Sequence, residues 1–308
     1  MMDFSKYEWG LVLNGGGGKA AYQVGVLKAL FEHKINDYIT AVSGTSSGSL
    51  NMILFVNDDF ETAKAAWDSV EKEDFLEISP DMIDFKEGLV SRDGLISIFD
   101  RYIDFEKIRT SDKTMYATVS DYGENDCQKG VAKYYSLNYK SESDIKKILI
   151  ASSALPIIYE PVIIDGHVCR DGGLTDNMPI NPLYIEGIRH FIVVGLSDST
   201  EINKEKYPGA EFLLIHPGKS IGNFFNGTLD FSRCGIETRM ELGYLDAIRE
   251  IEFYGKDMSD PGNRLLYEAS ESRDYNKYLV DVKKDRLQNM IDDNMSKIND
   301  IISKYTGE

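Results

Sequence analysis

The stretch Tyr38–Val56 reads YITAVSGTSSGSLNMILFV. Tyr38 to Ser43 is a short β-prone run, Gly44-Thr45-Ser46-Ser47-Gly48 is small and bendable, and Leu50 to Val56 is continuously apolar. That order predicts a strand, a tight turn and a buried helix. It also satisfies G-x-S-x-G, which seats a serine on a sharp strand-to-helix turn: flanking glycines relieve crowding, and the helix N-terminus favours developing negative charge. Alone, GTSSG reads either as a nucleophile turn centred on Ser46 or as a small-residue turn with a helix N-cap.

Upstream, Tyr7 to Leu13 is an apolar run ending in Asn14 and Gly15-Gly16-Gly17-Gly18, and Ala20 to Glu32 carries apolar residues at helical spacing. This is a second strand, glycine loop and helix, and its bare backbone NH groups suit an anion. A phosphate P-loop does not fit, because Leu13 and Ala20 stand where that motif has Gly and Ser or Thr. Gly15, Gly17 and Ala20 do fit G-x-G-x-x-A, with Asp37 about twenty residues on, so a dinucleotide-binding oxidoreductase is one reading. An oxyanion hole around Gly16 and Gly17, facing the alkoxide formed when Ser46 attacks a carbonyl, is a second, and a flexible turn with no ligand is a third.

Downstream, residues 57–110 are helical and charged, divided by Pro80, Gly88 and Gly94, and read as a cap-like insertion. Strands are predicted at Met115–Val119, Val131–Ser136, Phe191–Leu196 and Phe212–His216. A hairpin is predicted around Asp165-Gly166, and a helix over Ser143–Ala154. The fold class is therefore α/β, a three-layer α/β/α arrangement with a mostly parallel central sheet. Residues 1–218 are expected to form the α/β body, and 219–308, with helices over 229–254, 264–280 and 282–304, a helical C-terminal region packed on it.

The 308 residues are 42% apolar and carry 34 Lys+Arg against 51 Asp+Glu, a formal charge of −17. The composition is that of a folded chain, and the charge argues against nucleic acid or a strongly anionic bilayer as partner. Cys127, Cys169 and Cys234 form no CxxC pair, so neither a disulfide framework nor a thiolate zinc site is expected. The N-terminus lacks a signal-peptide pattern, and no segment approaches the roughly 18 apolar residues of a membrane span. A cytoplasmic location is expected. Asn57-Asp58-Asp59 and Asp292-Asp293 lack calcium-loop spacing, so no metal is expected.

A serine nucleophile needs a base. The order Ser46, Asp171, then His190 or His216 allows a triad, yet both histidines fall at the ends of β runs, and His33 and His167 carry no motif. Asp171-Gly172-Gly173 follows a predicted strand and precedes Asp176-Asn177-Met178-Pro179; it reads as a carboxylate emerging where bare backbone lets it approach another loop, or as a turn-stabilising Asp.

Together, LNGGGGKAAYQVGVLKAL, VSGTSSGSLN and ASSALPIIYEPVIIDGHVCRDGGLTDNMPINPL resemble the patatin-like phospholipase family over roughly residues 8–200. The resemblance implies a Ser-Asp dyad hydrolysing acyl esters of lipids without histidine or cofactor. It implies Ser46 as nucleophile, Asp171 as base, and Gly15, Gly16, Gly17 and Gly18 as the oxyanion loop. Gly44, Gly48, Gly172 and Gly173 complete the motifs, and Lys19 stands where the family has Arg or Lys. The family's next residue is usually Gly, and here it is Ala20. The implied partner is a lipid or acyl-ester substrate, with at most peripheral membrane contact. Ser220–Phe231, with Phe224, Phe225 and Leu229, is the candidate apolar loop near the mouth, and Trp67 and Phe75 are candidates in the cap. A non-catalytic lipid-binding protein is the remaining alternative.

Overall fold

The computed structural model describes residues 3–57, 60–70, 93–124, 126, 129–156 and 158–306. Pro80, Gly88, Phe75, Cys127 and Asp58-Asp59 lie outside them. Eight strands among the described residues make one sheet: β1 Trp9–Leu13, β2 Ile39–Thr45, β3 Thr114–Asp121, β4 Val131–Ser136, β5 Val162–Ile164, β6 His167–Asp171, β7 His190–Val194 and β8 Glu211–Ile215. Their order is β5-β6-β3-β2-β1-β7-β8, with β4 also on β3. The β3-β2-β1-β7-β8 run is parallel, and the pairings of β4, β5 and β6 are antiparallel.

Strands buried on both faces explain the continuous apolar runs. On β1, Leu11 and Leu13 enter one core and Val12 the other; on β7, Ile192 and Val194 enter the first and Phe191 and Val193 the second. Period-2 alternation thus feeds two layers from each strand. The larger core lies under α1 Ala21–Glu32 and α2 Ser47–Val56, and the smaller under α7 Ile180–Ile185. The remaining α-helices among the described residues are α3 Phe60–Asp68, α4 Asp93–Tyr102, α5 Phe105–Thr110, α6 Glu142–Ser152, α8 Arg233–Phe253 and α9 Pro261–Thr306. In the hairpin, Asp165 and Gly166 both take positive φ, 51° and 83°, as a type I′ turn requires.

The C-terminal helices differ from expectation. Residues 261–306 form one helix rather than two, because nothing between Asn263 and Thr306 is Gly or Pro. α8 lies against α1 at backbone contact distance: a Cβ on Gly25 would sit 1.8 Å from Met240 O, and one on Gly243 1.9 Å from Tyr22 O.

One pairing feature positions the site. β3 has β4 along residues 116–121 on one edge, so β2 (against 114–118) and β6 (against 119–121) share the other. β2 runs parallel to β3 and β6 antiparallel, so they run toward each other. Thr45 pairs with Thr118 and Asp171 with Val119, and the two strand ends abut.

Candidate active site

Ser46 sits at the end of β2 with φ 54° and ψ −128°, a strained backbone for a residue with a side chain, immediately before α2. Gly44 and Gly48 permit the bend. A Cβ on Gly44 would lie 2.5 Å from Gly48 O, and one on Gly48 2.2 Å from Leu13 O. The Ser46 N–H donates to Ser152 Oγ (2.9 Å), and Ser46 O accepts from Ser49 N–H (2.8 Å) and Ser49 Oγ (2.6 Å), so the turn is held on both sides.

Because β6 abuts β2, Ser46 Oγ donates to Asp171 Oδ2 at 2.7 Å across 125 residues of sequence. Asp171 is buried. Its Oδ1 accepts from Gly173 N–H (2.8 Å), its N–H donates to Ala154 O (2.9 Å), and its carbonyl accepts from Ser120 Oγ (2.7 Å). Gly172 packs against Thr118 O, where a Cβ would come within 2.3 Å. Burial raises the carboxyl to a pKa of about 6, against the lowering effect of the Ser46 and Gly173 hydrogen bonds.

The glycine loop follows β1, which lies between β2 and β7, the point where the chain switches direction across the sheet. Gly15, Gly16 and Gly17 line the same cavity as Ser46 and Asp171; Gly18 packs beneath Asp230 instead. Gly15 N–H donates to Asn177 Oδ1 and Asn177 Nδ2 donates back to Gly15 O, both at 3.1 Å, while Gly16 N–H donates to Ser47 Oγ at 3.1 Å. The Gly17 N–H has no acceptor among the described residues. Lys19 is not on the cavity wall. Its stem crosses Gly227, and burial, then Arg239, lowers its pKa.

The buried amides of Gln23 and Asn51 hold both ends of this loop. Gln23 Nε2 donates to Asn14 O (2.7 Å), and Asn51 Nδ2 to Ala20 O (2.9 Å) and Gln23 Oε1 (2.8 Å), while Asn51 Oδ1 accepts from Trp67 Nε1 (2.8 Å). Sequence reasoning assigned nothing to Gln23, Asn51, Ser152 or Asn177. A lone amide inside an apolar helical run, as in AYQVGVL and SLNMILFV, was the available signal, since such a group needs partners.

The cavity measures about 360 Å³ and is mostly apolar. α2, α3 and α4 supply Leu50, Ile53, Trp67 and Phe99, and residues 224–231, beyond the expected boundary at 218, supply Phe224, Leu229 and Phe231. Trp67 and Phe231 stack at 6.4 Å. Phe225 points outward, 78% exposed.

No histidine reaches the site. His190 begins β7 at the opposite end of the sheet, stacked on Tyr7; His216 Nδ1 contacts Pro217 O; His167 contacts Asp121; His33 contacts Ala29 O. The triad is not assembled. Nor is the dinucleotide site: Asp37 precedes β2, at the far end from the loop, and the backbone of Thr228 and Asp230 covers Gly17 and Gly18, where a Cβ would lie 2.2 and 2.1 Å from carbonyl oxygens.

The family model described as patatin-like phospholipase matches residues 11–184. The chain is similar to lysophospholipase NTE1 of Candida albicans, 22% identical over 205 residues, and to neuropathy target esterase sws of Drosophila melanogaster, 26% over 209. Each match covers 63% of this chain but only 14% and 13% of the relative. Among solved structures, VipD from Legionella pneumophila superimposes with a TM-score of 0.47 and 15% identity, covering 80% of this chain and 67% of that one. A match over more than half the chain identifies it as a member of the patatin-like phospholipase family.

Proposed function

We propose that this protein is a serine acyl hydrolase that cleaves carboxylic ester bonds of lipids, with Ser46 as nucleophile and Asp171 as base. The observation that carries the reading is the 2.7 Å bond from Ser46 Oγ to Asp171 Oδ2 beside an apolar cavity. A carboxylate of ordinary pKa is a feeble base toward an alcohol; one raised to about 6 is stronger, yet still ionised at pH 7. Ser46 Oγ attacks the ester carbonyl as Asp171 takes its proton. The glycine loop stabilises the alkoxide, with the Gly17 amide free to donate and the Gly15 and Gly16 amides already engaged by Asn177 and Ser47. The alcohol leaves with that proton, and a water deprotonated by Asp171 releases the acid from the acyl-enzyme. This cycle requires neither metal nor cofactor.

Family membership and the lysophospholipase and esterase names of the relatives support a lipid ester as substrate. Contact with a lipid surface is peripheral on this reading. No described helix is long and apolar enough to cross a membrane, and Phe224, Phe225 and Leu174 give the cavity mouth an exposed apolar rim. The charge of −17 favours neutral or zwitterionic surfaces over anionic ones.

The test is p-nitrophenyl ester hydrolysis by wild type, Ser46→Ala, Asp171→Asn and His216→Asn. Loss in the first two variants and retention in the third supports the dyad. A folded but inactive wild type sinks the hydrolase reading in favour of lipid binding without catalysis.

A further inference from the structure

Resting on the acyl hydrolase reading, we infer that the cavity is a length gauge for a single medium acyl chain, with Ala66 and Phe99 as its specificity-determining residues. Three observations converge on it. An apolar cavity of roughly 150 Å³ holds benzene, so each carbon takes roughly 25 Å³. The cavity's 360 Å³ then has room for about 14 carbons. That is one chain, and it leaves no room for a second.

The cavity also has a direction. Its wall includes Ser46, Ser47, Leu50, Ile53 and Leu54, which fall on one face of successive turns of α2. From Ser46 to Leu54 is eight residues, about 12 Å of helix at 1.5 Å each. An acyl group bonded to Ser46 therefore runs along α2 away from the turn.

Finally, α3 and α4 add wall residues with side chains that do not move freely. Ala66 and Phe99 are each 1% exposed and both line the cavity; Phe99 is fixed edge-on against Phe105. The small side chain at 66 leaves volume that a larger one would fill, and the ring at 99 occupies volume that its loss would release. Within the cavity each added methylene is buried, which raises kcat/KM by roughly fourfold per carbon. Beyond its capacity the gain stops, because further carbons remain in water or displace packed side chains.

The experiment measures kcat/KM for p-nitrophenyl esters of 4 to 18 carbons under one detergent condition, for wild type, Phe99→Ala and Ala66→Leu. Ile53→Ala and Ala66→Val serve as second variants of each kind should either of the first two fail to fold. The wild-type profile is expected to climb to an optimum near 12 to 14 carbons and then fall. Phe99→Ala moves the optimum to longer chains, and Ala66→Leu moves it shorter by roughly three carbons, the number that leucine adds. Opposite shifts cannot come from substrate solubility or general destabilisation, which act on all variants in the same sense. A wild-type optimum at 16 to 18 carbons, or one optimum shared by active filled and enlarged variants, overturns the length gauge while leaving the hydrolase reading intact. Absence of wild-type turnover on every ester overturns the hydrolase reading itself.

Discussion

The proposed mechanism puts two opposed demands on Asp171: as a base it must be ionised, yet it is 5% exposed and without a cationic partner among its hydrogen bonds. The activity of the Ser46–Asp171 pair is therefore expected to rise through about pH 6 as the carboxyl ionises, measured as kcat/KM against pH on a soluble ester. Removal of either group, by Ser46→Ala or Asp171→Asn, is expected to lower kcat by about a thousandfold or more at pH 8. Stability moves the other way. The folded carboxyl binds its proton up to about pH 6 and the unfolded one only to about 3.8, so the cost of burying the charge is absent below pH 4 and complete above pH 6. Two units correspond to about 3 kcal/mol. Asp171→Asn is thus expected to be more stable than wild type by up to that amount at pH 8, with the gain vanishing near pH 3.5 in urea titrations.

At the scale of elements, the glycine loop is held by helices on either side of it. Asn51 on α2 ties Ala20 O, Gln23 on α1 and Trp67 on α3 into one buried chain that begins at the cavity wall and ends on the loop. Asn51→Leu would take this partner from buried Gln23 Oε1 and Trp67 Nε1 and one bond from Ala20 O, each group left unpaired costing roughly 1 to 3 kcal/mol. A loss of about 3 kcal/mol in denaturant unfolding is expected, together with a fall in kcat larger than any change in KM, since in the proposed mechanism the loop acts on the alkoxide rather than on bound ester. The exposed aromatic turn behaves as a separate element. Asn223 caps it by accepting from Phe225 N–H (2.8 Å) and Asn226 N–H (3.1 Å), which presents Phe225 to solvent. Phe225→Asp is expected to reduce sedimentation with zwitterionic vesicles several-fold while turnover of a soluble short ester continues.

Across the whole molecule, the C-terminal helices are fastened to the α/β body by a buried charge cluster. Arg249 on α8 donates to Asp246 Oδ1 (2.5 Å) and to Asp274 Oδ2 on α9 (3.1 Å), and Tyr22 on α1 donates to Asp246 Oδ2 (2.8 Å). All three charged groups are buried, so the cluster survives only as a set. Arg249→Met leaves Asp246 buried without its cation and Asp274 with Arg273 alone, and is expected to cost about 3 to 5 kcal/mol, read as a lower denaturation midpoint. Because residues 224–231 line the cavity, loosening this attachment is also expected to weaken activity on longer esters.

What was legible in the sequence was local. The turn at Ser46, the glycine loop, the Asp165-Gly166 hairpin and most strands depend on residues within a few positions of one another, where backbone sterics and periodicity act directly. The assignment of Ser46 and Asp171 to one site came from a resemblance, because nothing within either motif says that they touch. Only the tertiary structure brings them together, through β2 and β6 meeting end to end on one edge of β3. It also leaves the four histidines elsewhere, turns Asn177 back onto Gly15 and gives the cavity its size. Those outcomes rest on contacts between segments far apart in the chain, whose geometry no local pattern encodes, whereas the turns and strands are written in the residues that form them.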